Sequence, residues 1–253
     1  MSVKHYSHLQ ELSRRIAATL PRPVFYGVHA REVQSAASLL AGHGLVRQCR
    51  AQLDDALLEC AHGICHCEAV ARDAGAIVMI EGTMRPYPAA EVALLTEAAI
   101  IAGLLHDIKR READHAMRGS VEADRVLMGL GMDDRRRNYI TYAIRNHEAF
   151  KTVCDLGDEA GCLVSDALYD ADKFRWGPEN FTTTVWTMVQ DRGTPPKRLH
   201  EMFPEKMQGI ERIKETFRTG TGRKYGPEII DQGLQIGNAV YAEMTSLLRT
   251  GSE

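Results

Sequence analysis

The fold of this chain is decided by residues 98–108, which read AAIIAGLLHDI. Ala99 and Ala102 precede His106 at the spacing of one helical face, so the face that packs into the core also carries the histidine. Burying an imidazole and the carboxylate of Asp107 at the end of an apolar helix costs free energy unless both groups have partners. A metal ion would be a partner for both groups at once.

The bulk composition excludes several classes of protein. The 253 residues are 44% hydrophobic and 26% charged, as in an ordinary globular protein. The formal net charge of -3 lacks the basic excess of nucleic-acid-binding proteins, so no nucleic-acid partner is expected. Six cysteines without a secretory leader predict free thiols and a cytoplasmic location. The most apolar run, residues 92–105, contains Glu97 and is too short to span a bilayer, so no membrane partner is expected.

Apolar residues recur at helical spacing along most of the chain, and no run alternates as a strand would. We therefore predict an all-α fold in which residues 1–253 form a single domain. Residues 219–226 are predicted to form a Gly-rich basic loop. Helices are predicted over about residues 8–19, 31–40, 52–74, 91–106, 115–129, 134–147, 161–172, 203–217 and 227–248.

Several of these helices carry histidine or aspartate on a face that is predicted to point inward. Helix bundles build metal sites in this way. Imidazole and carboxylate ligands without obligatory thiolate suit Fe, Mn, Zn, Ni or Co, and one or two ions are both compatible with the set. The candidate metal ligands are His66, His106, Asp107, His115, His147 and Asp172.

The motif order resembles that of the HD-domain superfamily of metal-dependent phosphohydrolases. Its elements are His66 in His-Cys-Glu-Ala-Val, then His106-Asp107, then Asp172 in Ala-Asp-Lys-Phe. The resemblance covers about residues 60–175 and implies an HD-domain-like helical bundle. The four residues would bind a first metal. The helices of residues 1–59 and 176–253 would be additions to this bundle.

His115, in His-x3-Gly, and His147, in Asn-His-Glu, resemble the residues that hold a second metal in some subfamilies. Many members continue the dyad as His-Asp-Ile-Gly-Lys, whereas this chain has His-Asp-Ile-Lys-Arg. We therefore expect Lys109 to take the place of the phosphate-contacting lysine, one position early. The chain lacks the Gly-Tyr-Pro signature of the cyclic-di-GMP branch after Asn-His-Glu.

The function that the resemblance implies is hydrolysis of a phosphomonoester or phosphodiester by a metal-activated hydroxide. The expected substrate is a small phosphorylated molecule such as a nucleotide, and a homo-oligomer is left open. Asp107 and Lys109 are the candidate catalytic residues. The candidate substrate-binding cations are Lys109, Arg110, Arg145 and Lys173.

Two other functions stay open. The same ligand order is similar to that of HD-type di-iron oxygenases, which use O2. A metal or nucleotide sensor without catalysis would instead use residues 203–248 to bind a partner.

Some local patterns also have two interpretations. Asp170 competes with Asp172 as a ligand, and His62 is an accessory ligand or a polar residue at a helix bend. Cys65 and Cys67 would point about 200° apart on a helix, so we expect packing thiols rather than a zinc site. Residues 135–137 and 219–224 are interpreted as a solvated helix start and a helix connection, with phosphate binding as the alternative.

Overall fold

The computed structural model describes residues 5–53 and 63–250, the side chain of residue 250 excepted. Within these ranges the chain is helical and contains no strand, which confirms the all-α prediction. None of the helices in the described ranges is both long enough and apolar enough to cross a membrane. The helices are α1 (His5–Thr19), α2 (Val24–Val28), α3 (Ala30–Gly42), α4 (Gly44–Arg50), α5 (Ile64–Thr83), α6 (Ala89–Leu105), α7 (His115–Gly129), α8 (Asp134–Arg145), α9 (Glu159–Phe174), a π-helical turn (Asn180–Thr184), α10 (Val185–Asp191), α11 (Pro196–Ile213) and α12 (Gly220–Thr250).

Helix α6 forms the centre of the core. Every residue from Ala98 to Leu105 is buried, so the end of this helix is enclosed on all sides rather than along one stripe. Helices α3, α4, α5, α8 and α9 pack around it. As a result His106 and Asp107, which follow its last residue, enter the interior and are only 1% and 2% exposed.

Helices α5 and α6 approach each other closely because small residues lie between them. A Cβ atom added at Gly103 would lie 2.4 Å from the Cα of Ala71. The nearest atoms are backbone, so no side-chain rotation could make room for it. The glycine therefore sets the distance between the two helices directly beneath the His-Asp pair.

Helix α8 begins where its capping residue predicts. The side chain of Asp133 accepts a hydrogen bond from the backbone N–H of Arg136 and caps α8, as expected of an N-cap aspartate. Residues 135–137 form ion pairs with Glu91, Glu97 and Asp134. The three arginines are thus paired with carboxylates at a helix start, but only Arg135, at 56% exposed, is well solvated, since Arg136 and Arg137 are 26% and 17% exposed.

The prediction of a loop over residues 219–226 is wrong, because residues 220–226 form the first turns of α12. Two buried carboxylates satisfy the free N–H groups at this helix start. Asp170 accepts from the backbone N–H of Thr219 at 2.8 Å, and Glu81 accepts from that of Thr221 at 2.7 Å. The protein's own carboxylates thus take the place that a phosphate would need.

Several predicted boundaries also differ from the structure. The predicted helix over 52–74 is found as α5, which ends at Thr83, and residues 54–62, including His62, lie outside the described residues. The helix predicted over 203–217 begins earlier, at Pro196, and ends at Ile213. Helices α2, α4 and α10 and the π-helical turn were not predicted, since each is at most seven residues long and short segments carry little periodicity.

The contact at Gly103 yields a stability prediction. Gly103→Ala should lower the free energy of unfolding by about 1–3 kcal/mol, because α5 and α6 must separate to admit the methyl group. Chemical denaturation of the purified variant measures the change. Gly209→Ala within α11 is the matched control, since a Cβ there meets no atom within 4 Å and alanine favours a helix by up to about 1 kcal/mol. Equal stability of the two variants would contradict the packing described above.

Candidate metal centre

Five helix ends converge on one cluster of four imidazoles and two carboxylates. Five of the six residues are buried, and the sixth, His115, exposes only 12% of its side chain. The structure brings together all six side chains that the sequence analysis named as candidate ligands. They are His66 in the first turn of α5, His106 and Asp107 directly after α6, His115 at the start of α7, His147 two residues after α8, and Asp172 in the last turn of α9.

The first half of the cluster is formed by His66, His106 and Asp172. The Nε2 atoms of the two imidazoles lie 3.3 Å apart. Asp172 Oδ1 lies 3.4 Å from Nε2 of His66 and 3.8 Å from Nε2 of His106. Donor atoms that bind a single ion at about 2.1 Å are roughly 3.0–3.4 Å from one another, so these three atoms are spaced almost as metal ligands are.

The second half of the cluster is formed by His115 and His147. Their Nε2 atoms lie 3.2 Å apart. Oδ1 of Asp107 lies 3.6 Å from each of these nitrogens. Three donor atoms from three different segments of the chain thus face one another in a second group.

Asp107 connects the two halves, because its two oxygens face different groups. While Oδ1 faces His115 and His147, Oδ2 lies 3.6 Å from Nε2 of His106. A carboxylate in this position can contribute a ligand atom to each of two ions. The arrangement is therefore compatible with one ion in either half or with two ions that share Asp107.

Backbone carbonyls orient two of the imidazoles. Nδ1 of His106 lies 2.8 Å from the carbonyl oxygen of Gly103, and Nδ1 of His147 lies 2.6 Å from that of Ile144. A carbonyl only accepts, so each Nδ1 carries the proton and donates it. The Nε2 lone pairs consequently point into the cluster, as in histidines that bind metal through Nε2.

Arg110 contacts a third imidazole of the cluster. Its Nη1 lies 2.8 Å from Nε2 of His115, and a guanidinium can only donate, so this nitrogen carries no proton. Its single lone pair accepts from Arg110, and a metal ion bound through Nε2 would take the place of that hydrogen bond. Burial and the charge of Arg110 lower the pKa of His115, which favours the neutral imidazole, the form that binds metal.

Burial also favours the form of His106, in the first half of the cluster, that can bind a cation. It lowers the pKa of His106 to about 3, so this imidazole is neutral at neutral pH. Burial alone would raise the pKa of Asp172, but the Lys173 ammonium and the His66 imidazole hold it well below its usual range. The Nζ atom of Lys173 lies 2.5 Å from Oδ2 of Asp172, which leaves Oδ1 to face the imidazoles.

The alternative ligand Asp170 lies outside the cluster, and the two cysteines near His66 do not face each other. Asp170 is fully buried, but it accepts hydrogen bonds from Arg218 and Thr219 at the start of α12 instead of facing the imidazoles. Cys65 is exposed whereas Cys67 is buried, so the two thiols diverge as predicted, but the prediction of a packing thiol is wrong for Cys65. Among the residues that the structure describes, the groups that could hold an ion are made of imidazoles and carboxylates.

The predicted substrate-binding cations divide into two pairs. Arg110 and Lys173 line the cavity that adjoins the cluster. Lys109 does not line it and lies 3.4 Å from Glu112 in an ion pair, and Arg145 is exposed outside it. The role of Lys109 and Arg145 stays a prediction.

Sequence reasoning missed the residues that position the ligands. The acceptors for His106 and His147 are carbonyls three residues earlier in the chain, and carbonyls have no sequence signal of their own. A usable signal does exist, since both histidines lie within two residues after the end of a helix, where backbone carbonyls have no partner within the helix. The walls of the cavity formed by the π-helical turn, α10 and α11 were also missed.

Comparison of the chain with protein-family models, with curated proteins and with solved structures finds no match. The structure is that of a helical protein with a buried His/Asp cluster able to bind metal, which is compatible with an HD-type fold. Any assignment to a reaction therefore depends on the residues themselves and their geometry.

The ligand geometry predicts which substitutions remove metal. Protein purified without chelator should contain a divalent transition metal. Asp107→Ala should weaken metal binding more than about 100-fold, a larger loss than is typical when a residue that only hydrogen-bonds to a metal ligand is replaced. If two ions are bound, His66→Ala and His147→Ala should each remove one. Elemental analysis of the purified variants measures the stoichiometry.

His8→Ala is the matched control for these variants. This histidine is 48% exposed and pairs with Glu243, away from the cluster. It should leave the metal content unchanged. Equal metal content in Asp107→Ala and His8→Ala would refute the assignment.

Proposed function

We propose that this protein is a metal-dependent phosphohydrolase of the HD type that cleaves a phosphomonoester or phosphodiester bond. The observation that carries the proposal is the position of Asp107, whose two oxygens face two separate groups of imidazoles. Sites that hold two ions around a shared carboxylate suit phosphoryl transfer, because two cations can contact the attacking and the leaving oxygen.

A divalent ion at this cluster would supply a water of lowered pKa and positive charge for the phosphoryl oxygens. The chain's own residues would hold that site in place. Gly103 and Ile144 fix the orientation of two imidazoles, and Lys173 keeps Asp172 ionised. Burial of the cluster strengthens each of these electrostatic interactions.

Arg110 is the proposed contact for the substrate phosphate. It lines the cavity and its Nη1 atom touches His115, so its charge is adjacent to the cluster. It is also the fifth residue counted from His106, the position of the lysine in the His-Asp-Ile-Gly-Lys pattern. An arginine can bind two phosphate oxygens at once through its planar guanidinium.

The proposal is tested with metal-free protein reloaded separately with Fe, Mn, Zn, Ni and Co. Each form is offered a panel of phosphomonoesters and phosphodiesters with and without O2, and the released alcohol is measured together with free phosphate. Ester hydrolysis without O2 that is lost in Asp107→Asn is the expected result. Consumption of O2 by the iron form without ester hydrolysis would support the di-iron oxygenase instead, and tight binding without any turnover would support the sensor.

Replacement of Arg110 should weaken catalysis without loss of metal. We expect Arg110→Met to lower kcat/KM by about 10- to 100-fold, the equivalent of one hydrogen bond to a charged group. The control Arg118→Met removes an exposed arginine that pairs with Glu112 on the protein surface and should change kcat/KM less than about twofold. Unchanged kinetics in Arg110→Met would exclude Arg110 as the phosphate contact.

A further inference from the structure

The cluster is one end of a much larger cavity. Its volume is about 450 Å³, within the range of sites that enclose small organic ligands. The His/Asp cluster forms one part of its wall. The rest is formed largely by the π-helical turn, α10 and α11, which lie outside the region that resembles the HD superfamily.

This second part of the wall is predominantly apolar. The charged side chains that residues 180–210 contribute to the lining are Arg192 and Lys206, and both are exposed to solvent. The guanidinium of Arg192 and the ammonium of Lys206 therefore mark the side of the cavity that is open to solvent. Methionines adapt to the shape of a bound apolar group better than branched side chains do. The apolar lining includes Phe181, Met188, Val189, Leu199, Met202 and Met207.

Phe150 adds a second, independent observation. It lines the cavity but is 52% exposed, with the Arg212 guanidinium 4.6 Å from its ring centre. Its backbone has a φ of 62°, the left-handed region that a bulky residue rarely adopts. An exposed aromatic ring in a strained backbone conformation at the cavity wall favours a role in ligand binding over a role in folding.

We propose that the substrate is a phosphate ester of an apolar alcohol, an alkyl or aryl group that occupies the cavity between the π-helical turn, α10 and α11. The phosphate would lie at the His/Asp cluster and Arg110, and this orientation rests on the phosphohydrolase function proposed above. A nucleotide fits the lining less well, because a ribose and a base need several hydrogen-bonding partners where the wall offers mainly carbon and sulfur.

The test uses n-alkylphosphonates from ethyl to octyl, which carry the head group but have no ester bond to hydrolyse. Their binding to the metal-loaded full chain is measured without O2 by calorimetry and by the fluorescence of Trp176, which lines the cavity. Affinity should rise about fourfold with each added methylene that is buried. The octyl compound should bind at least about tenfold more tightly than a nucleoside monophosphate. A flat dependence on chain length, or tighter binding of the nucleotide, would overturn the proposal.

Two variants test where the apolar group of the ligand lies in the cavity. Met188→Gln keeps the length of the side chain but makes it polar, and should weaken octylphosphonate binding about tenfold while ethylphosphonate binding is unchanged. Met128→Gln is the matched control, since Met128 is 56% exposed on α7 and lies outside the cavity lining. Equal binding of octylphosphonate by both variants would overturn the assignment of the apolar group to α10.

The variant Phe150→Gly distinguishes a role of Phe150 in ligand binding from a role in folding. Glycine adopts the left-handed conformation without strain, so the thermal midpoint should rise or stay level. Octylphosphonate binding should nevertheless weaken about threefold or more, because the ring is lost. A variant with a lower midpoint and unchanged binding would show that Phe150 serves folding alone.

Failure of this proposal can be told apart from failure of the proposed reaction. Binding that increases with chain length, in a protein that hydrolyses none of the esters, would support the apolar pocket and reject hydrolysis. Hydrolysis of esters, together with a flat chain-length dependence, would support hydrolysis and reject the apolar substrate.

Discussion

Asp107 is 2% exposed and lies between two pairs of imidazoles, a position in which a carboxylate is costly unless positive charge faces it. Arg110 supplies one charge, with Nε 3.7 Å from Oδ2. Burial lowers the pKa of His106 and His115, so these imidazoles favour the neutral form and supply lone pairs rather than charge, and a metal ion would complete the balance. The enclosed end of α6 and the contact at Gly103 hold the carboxylate there.

The C-terminal helices support the cluster as well as the cavity. At the start of α12, Asp170 and Glu81 accept backbone hydrogen bonds, and these carboxylates belong to α9 and α5. The same two helices carry Asp172 and His66, so α12 ties together the segments that form the first half of the cluster. Gly222 makes this contact possible, because a Cβ there would lie 2.0 Å from Oδ2 of Asp170. Helix α12 is thus joined by hydrogen bonds to the two helices that carry His66 and Asp172.

Sequence periodicity predicted the all-α fold and the long helices, because apolar spacing at 3.6 residues is a local property. It also placed histidines and aspartates on inward helix faces, where they need a partner, and the resemblance to the HD superfamily favoured Asp172 over Asp170. It misread residues 219–226, where Gly-rich composition suggested a loop but the distant carboxylates of Asp170 and Glu81 stabilise a helix. The apolar cavity could not be predicted, because the way in which the π-helical turn, α10 and α11 pack around it is set by tertiary contacts.

Anomalous X-ray diffraction at the absorption edges of Mn, Fe, Co, Ni and Zn tests the central claim most directly. Crystals would be grown from the 253-residue chain, purified without chelator and supplied with these metals. The predicted result is an anomalous peak bounded by His66, His106, Asp107 and Asp172, with a second peak at His115 and His147 if two ions are bound. Crystals that show no anomalous peak among these six side chains would contradict the assignment of the cluster as a metal centre.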